Sequence, residues 1–179
     1  DQLTPKVGLQ YLKNMNFTGI VKDDYTLATS LGGFTKGASP LEMAAGFETI
    51  ENDGMYREPT CIKTIIDSDE NVVYASQMTE VSIYEQDAAR MMTDVLTTVM
   101  DSGTGRSLKL KNMPCAGKTG TTNDHKDGWF VGFTRYYTTS VWVGCDYPKA
   151  IQNLSGSTYP GRIRSEEHTS ELQSLNSIS

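Results

Sequence analysis

A lysine, two hydroxyls and a glycine follow one another at Lys118-Thr119-Gly120-Thr121, inside the stretch from Cys115 to Thr134 that reads CAGKTGTTNDHKDGWFVGFT. On an extended segment this set can hold a carboxylate against the edge of a sheet. The ammonium supplies charge, the hydroxyls donate hydrogen bonds, and the glycine leaves the backbone open to close approach. Gly117-Lys118-Thr119 also has the letters that close a phosphate-binding loop, but such a loop needs a glycine five residues before its Gly-Lys pair and a helix directly after it. Here that position is Asn112, Pro114 intervenes, and NDHKDG followed by WFVGF reads as a turn and then a strand. The phosphate reading is set aside.

The strand reading leads further. KTGTT followed by ND, then DGWFVGFT and a second apolar run ending VWVGCD, resembles the transpeptidase domain of high-molecular-weight penicillin-binding proteins, in which K-T-G accompanies an S-x-x-K and an S-D-N-type motif. GGFTKGASPLEMAAGF upstream and LSGSTYPGR downstream extend the resemblance over most of residues 1–163, and the pattern is most similar to class A, bifunctional members. The resemblance implies a penicillin-binding protein/serine β-lactamase-like transpeptidase fold, incomplete at both ends. It implies a serine-type enzyme that cross-links peptidoglycan stem peptides ending in D-Ala-D-Ala through an acyl-enzyme, binds β-lactams and uses no cofactor. It also implies a membrane-anchored parent working on the extracytoplasmic face of the bacterial membrane.

In that setting the resemblance makes Lys118 the catalytic residue of this segment and Thr119, Gly120 and Thr121 its substrate-binding residues. Lys118 would place positive charge near the reacting centre. The two threonine hydroxyls would donate to the terminal carboxylate, and the Thr121 amide would form half of an oxyanion hole. The nucleophile and its activator are another matter, because no lysine of this sequence has a serine three positions earlier. Ser174-Leu175-Asn176 has Ser-x-Asn spacing but follows the KTG run, and is read as chance. The chain is therefore expected to begin after both serine motifs and to be inert by itself. Two other readings stay open: a β-lactamase, which must also deacylate quickly with water, and a non-catalytic penicillin-sensing or wall-binding module.

The elements that must position this edge are legible from spacing. Thr4-Pro5 opens a helix with Val7, Tyr11, Leu12 and Met15 on one face. The glycine-rich stretch LGGFTKGAS closes residues 16–38, and the resemblance places it near the active-site region. Ser39-Pro40-Leu41-Glu42 is a capping box, followed by an inward stripe of Met43, Phe47 and Ile50 and a stop at Asn52-Asp53-Gly54. Strands at 61–66 and 71–75 flank Asp67-Ser68-Asp69-Glu70 as a hairpin, whose acidic turn lacks the glycine and glutamate of a calcium loop. Ser82 to Glu85 reads as a second capping box for a long helix with Ala88, Met91, Met92, Val95, Leu96 and Val99 facing a core. Strands at about 114–122, 128–134 and 138–145 then pair antiparallel through short links. The expected architecture is α/β, with a central antiparallel sheet flanked by helices.

Composition excludes several classes of function. A formal charge of -6 with no basic cluster argues against nucleic acid or an anionic lipid surface as the main partner. No apolar run approaches the roughly 20 residues that span a bilayer. Cys61, Cys115 and Cys145 fit neither a zinc site nor a disulfide framework, so no metal site is expected and the cysteines read as small buried hydrophobes. Trp129 and Trp142 read as core aromatics, and His125 as a surface residue without a catalytic role. Arg164 to Ser174, RSEEHTSELQS, looks like translated sequencing adapter, which divides the chain into a partial transpeptidase domain at 1–163 and a non-native or disordered tail at 164–179.

Overall fold

In a computed structural model, which describes residues 3–165, the sheet expected at the end of the chain is present as β5 (Ala116–Thr121), β6 (Gly128–Phe133) and β7 (Thr138–Val143). The order is β5-β6-β7 and both pairs are antiparallel, with Lys118 opposite Val131 and Gly120 opposite Trp129. One face of this sheet is covered by two helices, α2 (Pro40–Glu51) and α3 (Gln86–Asp101). Leu96 of α3 joins Ala116 and Phe133 in a buried cluster, with Phe47 and Ile50 of α2 packed on it. On the opposite face Phe130 is fully buried against Met100, Leu108, Leu110 and Cys115. Adjacent strand residues point to opposite faces, so β6 contributes to two cores at once.

The start of α2 forms as its sequence dictates. Ser39 Oγ accepts from the Glu42 amide at 3.2 Å, and Glu42 Oε2 accepts from the Ser39 amide at 2.7 Å. The other Glu42 oxygen accepts from Thr18 N and Oγ1 at 2.7 and 2.9 Å, which ties the incoming loop to the helix. Burial pushes the Glu42 carboxyl up, but the bonds from Ser39 and Thr18 outweigh it and hold it below its ordinary value. A third cluster, Met15, Phe17, Ala45, Tyr56 and Ile83, joins α2 to the preceding helix α1 (Pro5–Asn14) and to a two-stranded sheet. That sheet, β1 (Met55–Arg57) with β4 (Glu80–Ser82), was not anticipated, because each strand has only three residues, too few to show a period.

Several expectations need correction. Ser82 belongs to β4, so it caps no helix: α3 starts after Glu85, which makes no side-chain cap bond. Met91, Met92 and Val95 are exposed, Met91 at 70%, and the buried side of α3 is Ala89, Leu96 and Met100. The methionine stripe is therefore not core. In α1 the buried residue is Leu9, whereas Val7 and Tyr11 are exposed. The hairpin exists as β2 (Thr64–Ile66) and β3 (Val72–Ala75), but every residue of both strands is exposed and Cys61 lies outside it, also exposed. Cys115 is buried and Cys145 only half-buried. Trp142 is 37% exposed and donates from Nε1 to Asp127 Oδ1 at 3.0 Å, so it packs at the rim rather than inside the core.

Past β7 the chain turns through 152–158 and enters a helical stretch at 159–165, where Arg164 is buried against the ring of Phe130. Packing thus continues through Arg164, while 166–179, the rest of the expected tail, lies outside the described residues. Among the described residues no helix is long and apolar enough to cross a membrane.

Candidate functional site

Among the described residues β5 pairs only with β6, which leaves its other side as an open strand edge. Which residues turn their peptide groups toward that opening follows from one bond. Thr122 donates its amide to the Asp127 carbonyl at 3.1 Å, immediately beyond the last pair of the ladder. Antiparallel pairing alternates, so Gly120 and Lys118 also face β6, and the peptide groups of Thr121 and Thr119 face the open edge. The amide assigned from sequence to an oxyanion hole thus lies on the open side.

The side chains of the four residues divide between the two faces. Lys118 and Gly120 share the face of Ala116, and Thr119 and Thr121 share the face of Phe130. Lys118 is exposed, and its Nζ donates to the Thr119 carbonyl oxygen at 2.7 Å, one of the outward-facing acceptors. Among the described residues its ammonium pairs with no carboxylate. The charge therefore sits at the strand edge with no carboxylate of the described residues in ion-pair distance. Gly120 is half-buried, and a Cβ there would stand 3.3 Å from Trp129 Cβ, so a side chain would crowd the neighbouring strand as well as the edge.

Two further residues hold the threonines, and reading the sequence missed both. Thr104, in the loop after α3, shares a hydrogen bond with Thr119 between hydroxyls 2.6 Å apart. Gly156 donates its amide to Thr121 Oγ1 at 3.0 Å. Gly103-Thr104-Gly105 and LSGSTYPGR were both visible as motifs, but neither gives a signal of contact with a strand so distant in sequence.

The loop from β5 to β6 is fixed from inside and from outside. Thr122 Oγ1 accepts the amides of Lys126 and Asp127 at 3.0 and 2.9 Å. His125 has a positive φ of 52°, and its Nδ1 donates to the Leu154 carbonyl at 2.8 Å, which sets its tautomer. His125 is thus exposed, as expected, and its ring also ties the loop to the turn at Leu154. Lys126 Nζ lies 2.9 Å from Asp124 Oδ2 and holds that carboxyl below its ordinary value. One concavity of about 460 Å³ lies beside Asp124 and His125, and another of about 750 Å³ lies between α2 and the exposed hairpin. Neither is lined by Lys118, which lies on the unpaired edge of β5. Among the described residues no group of three or more His, Cys, Asp or Glu side chains is placed to hold a metal.

This arrangement can add an extended peptide to the sheet and meet an anionic group with charge and hydroxyls at one end. The family model described as penicillin binding protein transpeptidase domain matches residues 11–161. Penicillin-binding protein 4 of Bacillus subtilis is 34% identical over 157 residues, 86% of this chain and 25% of that protein. Penicillin-binding protein 1F of the same organism is 36% identical over 172 residues, 91% of this chain and 23% of that protein. Among solved structures, the penicillin-binding protein PonA1 from Mycobacterium tuberculosis superposes with a TM-score of 0.78 at 21% identity, covering 90% of this chain and 48% of that one. Penicillin-binding protein 1A from Haemophilus influenzae gives 0.76 at 20% identity, covering 92% and 30%. The chain spans about a quarter of the length of these curated relatives.

Proposed function

Because this chain belongs to the penicillin-binding protein transpeptidase family, we propose that it forms the substrate-edge portion of a serine-type D,D-transpeptidase that cross-links peptidoglycan stem peptides through an acyl-enzyme. The observation that carries this is the open edge of β5, where the exposed ammonium of Lys118 bonds an outward peptide carbonyl and the hydroxyls of Thr119 and Thr121 stand on the strand's other face. A stem peptide ending in D-Ala-D-Ala lies along that edge as an added strand. Thr119 and Thr121 take its terminal carboxylate, and the Thr121 amide stabilises the oxyanion that forms on acylation. Lys118 lowers the cost of negative charge at the reacting centre. Gly120 carries no side chain that would hold the peptide off. β-Lactams occupy the same edge, since they present a carboxylate beside a reactive amide.

The parent acts outside the cytoplasmic membrane, to which it is anchored, and needs no cofactor. The serine nucleophile and its activating lysine come from outside these 179 residues, which contain no Ser-x-x-Lys. The test is labelling with a reporter penicillin followed by denaturing electrophoresis. A full-length protein carrying this segment is expected to form a boil-stable, stoichiometric adduct, and the 179-residue chain none. A labelled 179-residue chain contradicts the assignment of the nucleophile. A full-length protein that fails to label supports the non-catalytic reading, and one that turns penicillin over rapidly is a β-lactamase.

A further inference from the structure

The segment that follows β7 returns beneath the sheet and meets β5 through a glycine. Gly156 donates its N–H to Thr121 Oγ1 at 3.0 Å. A Cβ on Gly156 would run into the Trp129 carbonyl oxygen and stand 2.8 and 2.9 Å from Gly120 N and O. Its backbone therefore lies directly over the Gly120–Trp129 register pair, a closeness that a residue with a side chain cannot reach.

The turn that carries Gly156 is braced on both sides. Ser155 N donates to Thr158 Oγ1 at 2.9 Å, and the Thr158 hydroxyl lies 3.0 and 2.8 Å from the carbonyl oxygens of Asn153 and Ser155. Upstream, Ile151 N donates to the His125 carbonyl at 3.0 Å, and His125 Nδ1 donates to the Leu154 carbonyl at 2.8 Å. The far end of β5 and the loop leaving it are thus held against one rigid turn.

A threonine hydroxyl has one proton to give and two lone pairs to receive. In Thr121 a lone pair is occupied by Gly156 N–H, and the side chain is exposed. We infer that Gly156 is a positioning residue: by donating to Thr121 Oγ1 it fixes the rotamer of that side chain and leaves the hydroxyl proton directed to an anionic group on the open edge. The inference rests on the substrate-binding role proposed for Thr121 and adds to it the means by which the hydroxyl is made a donor.

The test compares second-order acylation rate constants for benzylpenicillin and for its methyl ester in the full-length protein, because only the first presents a carboxylate. Thr121→Val is expected to lower the ratio of the two about tenfold or more, the scale of a hydrogen bond to a charged group. An unchanged ratio in that variant removes the substrate-binding reading itself. Where Thr121→Val does lower it, Gly156→Ala is expected to lower it comparably while the protein stays folded by circular dichroism. The double variant is expected to be no worse than Thr121→Val alone. A folded Gly156→Ala protein that keeps the parental ratio overturns the inference. If Gly156→Ala does not fold, Thr158→Val, which loosens the turn without adding bulk, must lower the ratio at least threefold, about half the free energy of the tenfold effect. If neither variant folds, amide exchange decides. Gly156 N–H is expected to be protected in the unsubstituted protein and to exchange about tenfold faster in Thr121→Val, and an unprotected Gly156 amide overturns the proposal.

Discussion

Thr104 and Thr119 stand hydroxyl to hydroxyl, 2.6 Å apart, and join the loop after α3 to the middle of β5. Neither residue is in the other's element, so the bond fixes how far the helix end stands from the strand edge. Thr104→Val removes that tie and leaves the shape of the side chain. The hydrogen bond is exposed, so the expected stability loss is within about 1 kcal/mol. Acylation of the full-length protein by penicillin is expected to slow severalfold, as Thr119 loses its fixed rotamer. A stopped-flow acylation rate together with a thermal melt separates the two effects, and an unchanged rate removes Thr104 from the site.

Phe130 and Met100 are both fully buried on the lower face of the sheet, next to Leu108 and Leu110. Phe130→Ala is expected to cost about 3–5 kcal/mol and Met100→Ala about 2–5 kcal/mol in urea unfolding of the chain. Met91→Lys, on the exposed side of the same helix, is expected to stay within about 0.5 kcal/mol. Equal losses for Met91 and Met100 would put the helix in the wrong rotation.

That contrast shows what could be read from the sequence and what could not. The strand at 116–121, its turn and its antiparallel neighbours were legible because turn residues and dense apolar runs alternate there. The box Ser39–Glu42 was legible because its two bonds are local. The rotation of α3 was not, because Met91, Met92, Val95, Leu96 and Met100 are apolar over more than one helical face, and tertiary packing chose which side to bury. The same holds for Ser82, where strand pairing with Met55 outweighed a cap motif. At the proposed site, Lys118 to Thr121 were singled out from their types together with the family resemblance, whereas Thr104 and Gly156 are defined by contacts across 15 and 35 positions, which leave no periodic mark.

Acid should weaken the fold through carboxylates that their bonds hold low, Asp24 and Glu42 among them. Asp24 accepts the amides of Val21 and Thr35 at 2.8 and 2.7 Å, and these bonds hold it below its ordinary value. Glu42 is also held low, the bonds from Ser39 and Thr18 overcoming the effect of burial. A depressed carboxyl binds its proton less readily in the folded state than in the unfolded one. Its stabilisation is therefore complete above the ordinary range near pH 4 and is lost as pH falls through and below it. The melting temperature is expected to drop on going from pH 6 to pH 3, and Asp24→Asn is expected to lower stability at pH 6 while flattening that drop. An unchanged pH profile in Asp24→Asn would show that the drop comes from other groups.

The capping box offers a local check of the same helix. Ser39→Ala removes the acceptor of the Glu42 amide and is expected to cost about 1 kcal/mol, whereas Ser39→Gly costs only a few tenths. Chemical unfolding at pH 7 distinguishes the two, and indistinguishable variants would show that the Ser39 hydroxyl adds nothing to the Glu42 bonds with the Ser39 amide and Thr18.

If the charge of Lys118 on the open edge of β5 takes part in acylation, one rate constant shows it. Acylation of the full-length protein by a reporter penicillin is to be measured for the parent and for Lys118→Ala, with a thermal melt of each. The side chain is exposed and, among the described residues, bonded only to the Thr119 carbonyl, so the melt should hardly move. The acylation rate constant is expected to fall by about 100-fold or more, the scale of losing a group that acts on the reacting centre. A Lys118→Ala protein that is folded and acylates at the parental rate would make Lys118 an ordinary surface charge with no part in acylation.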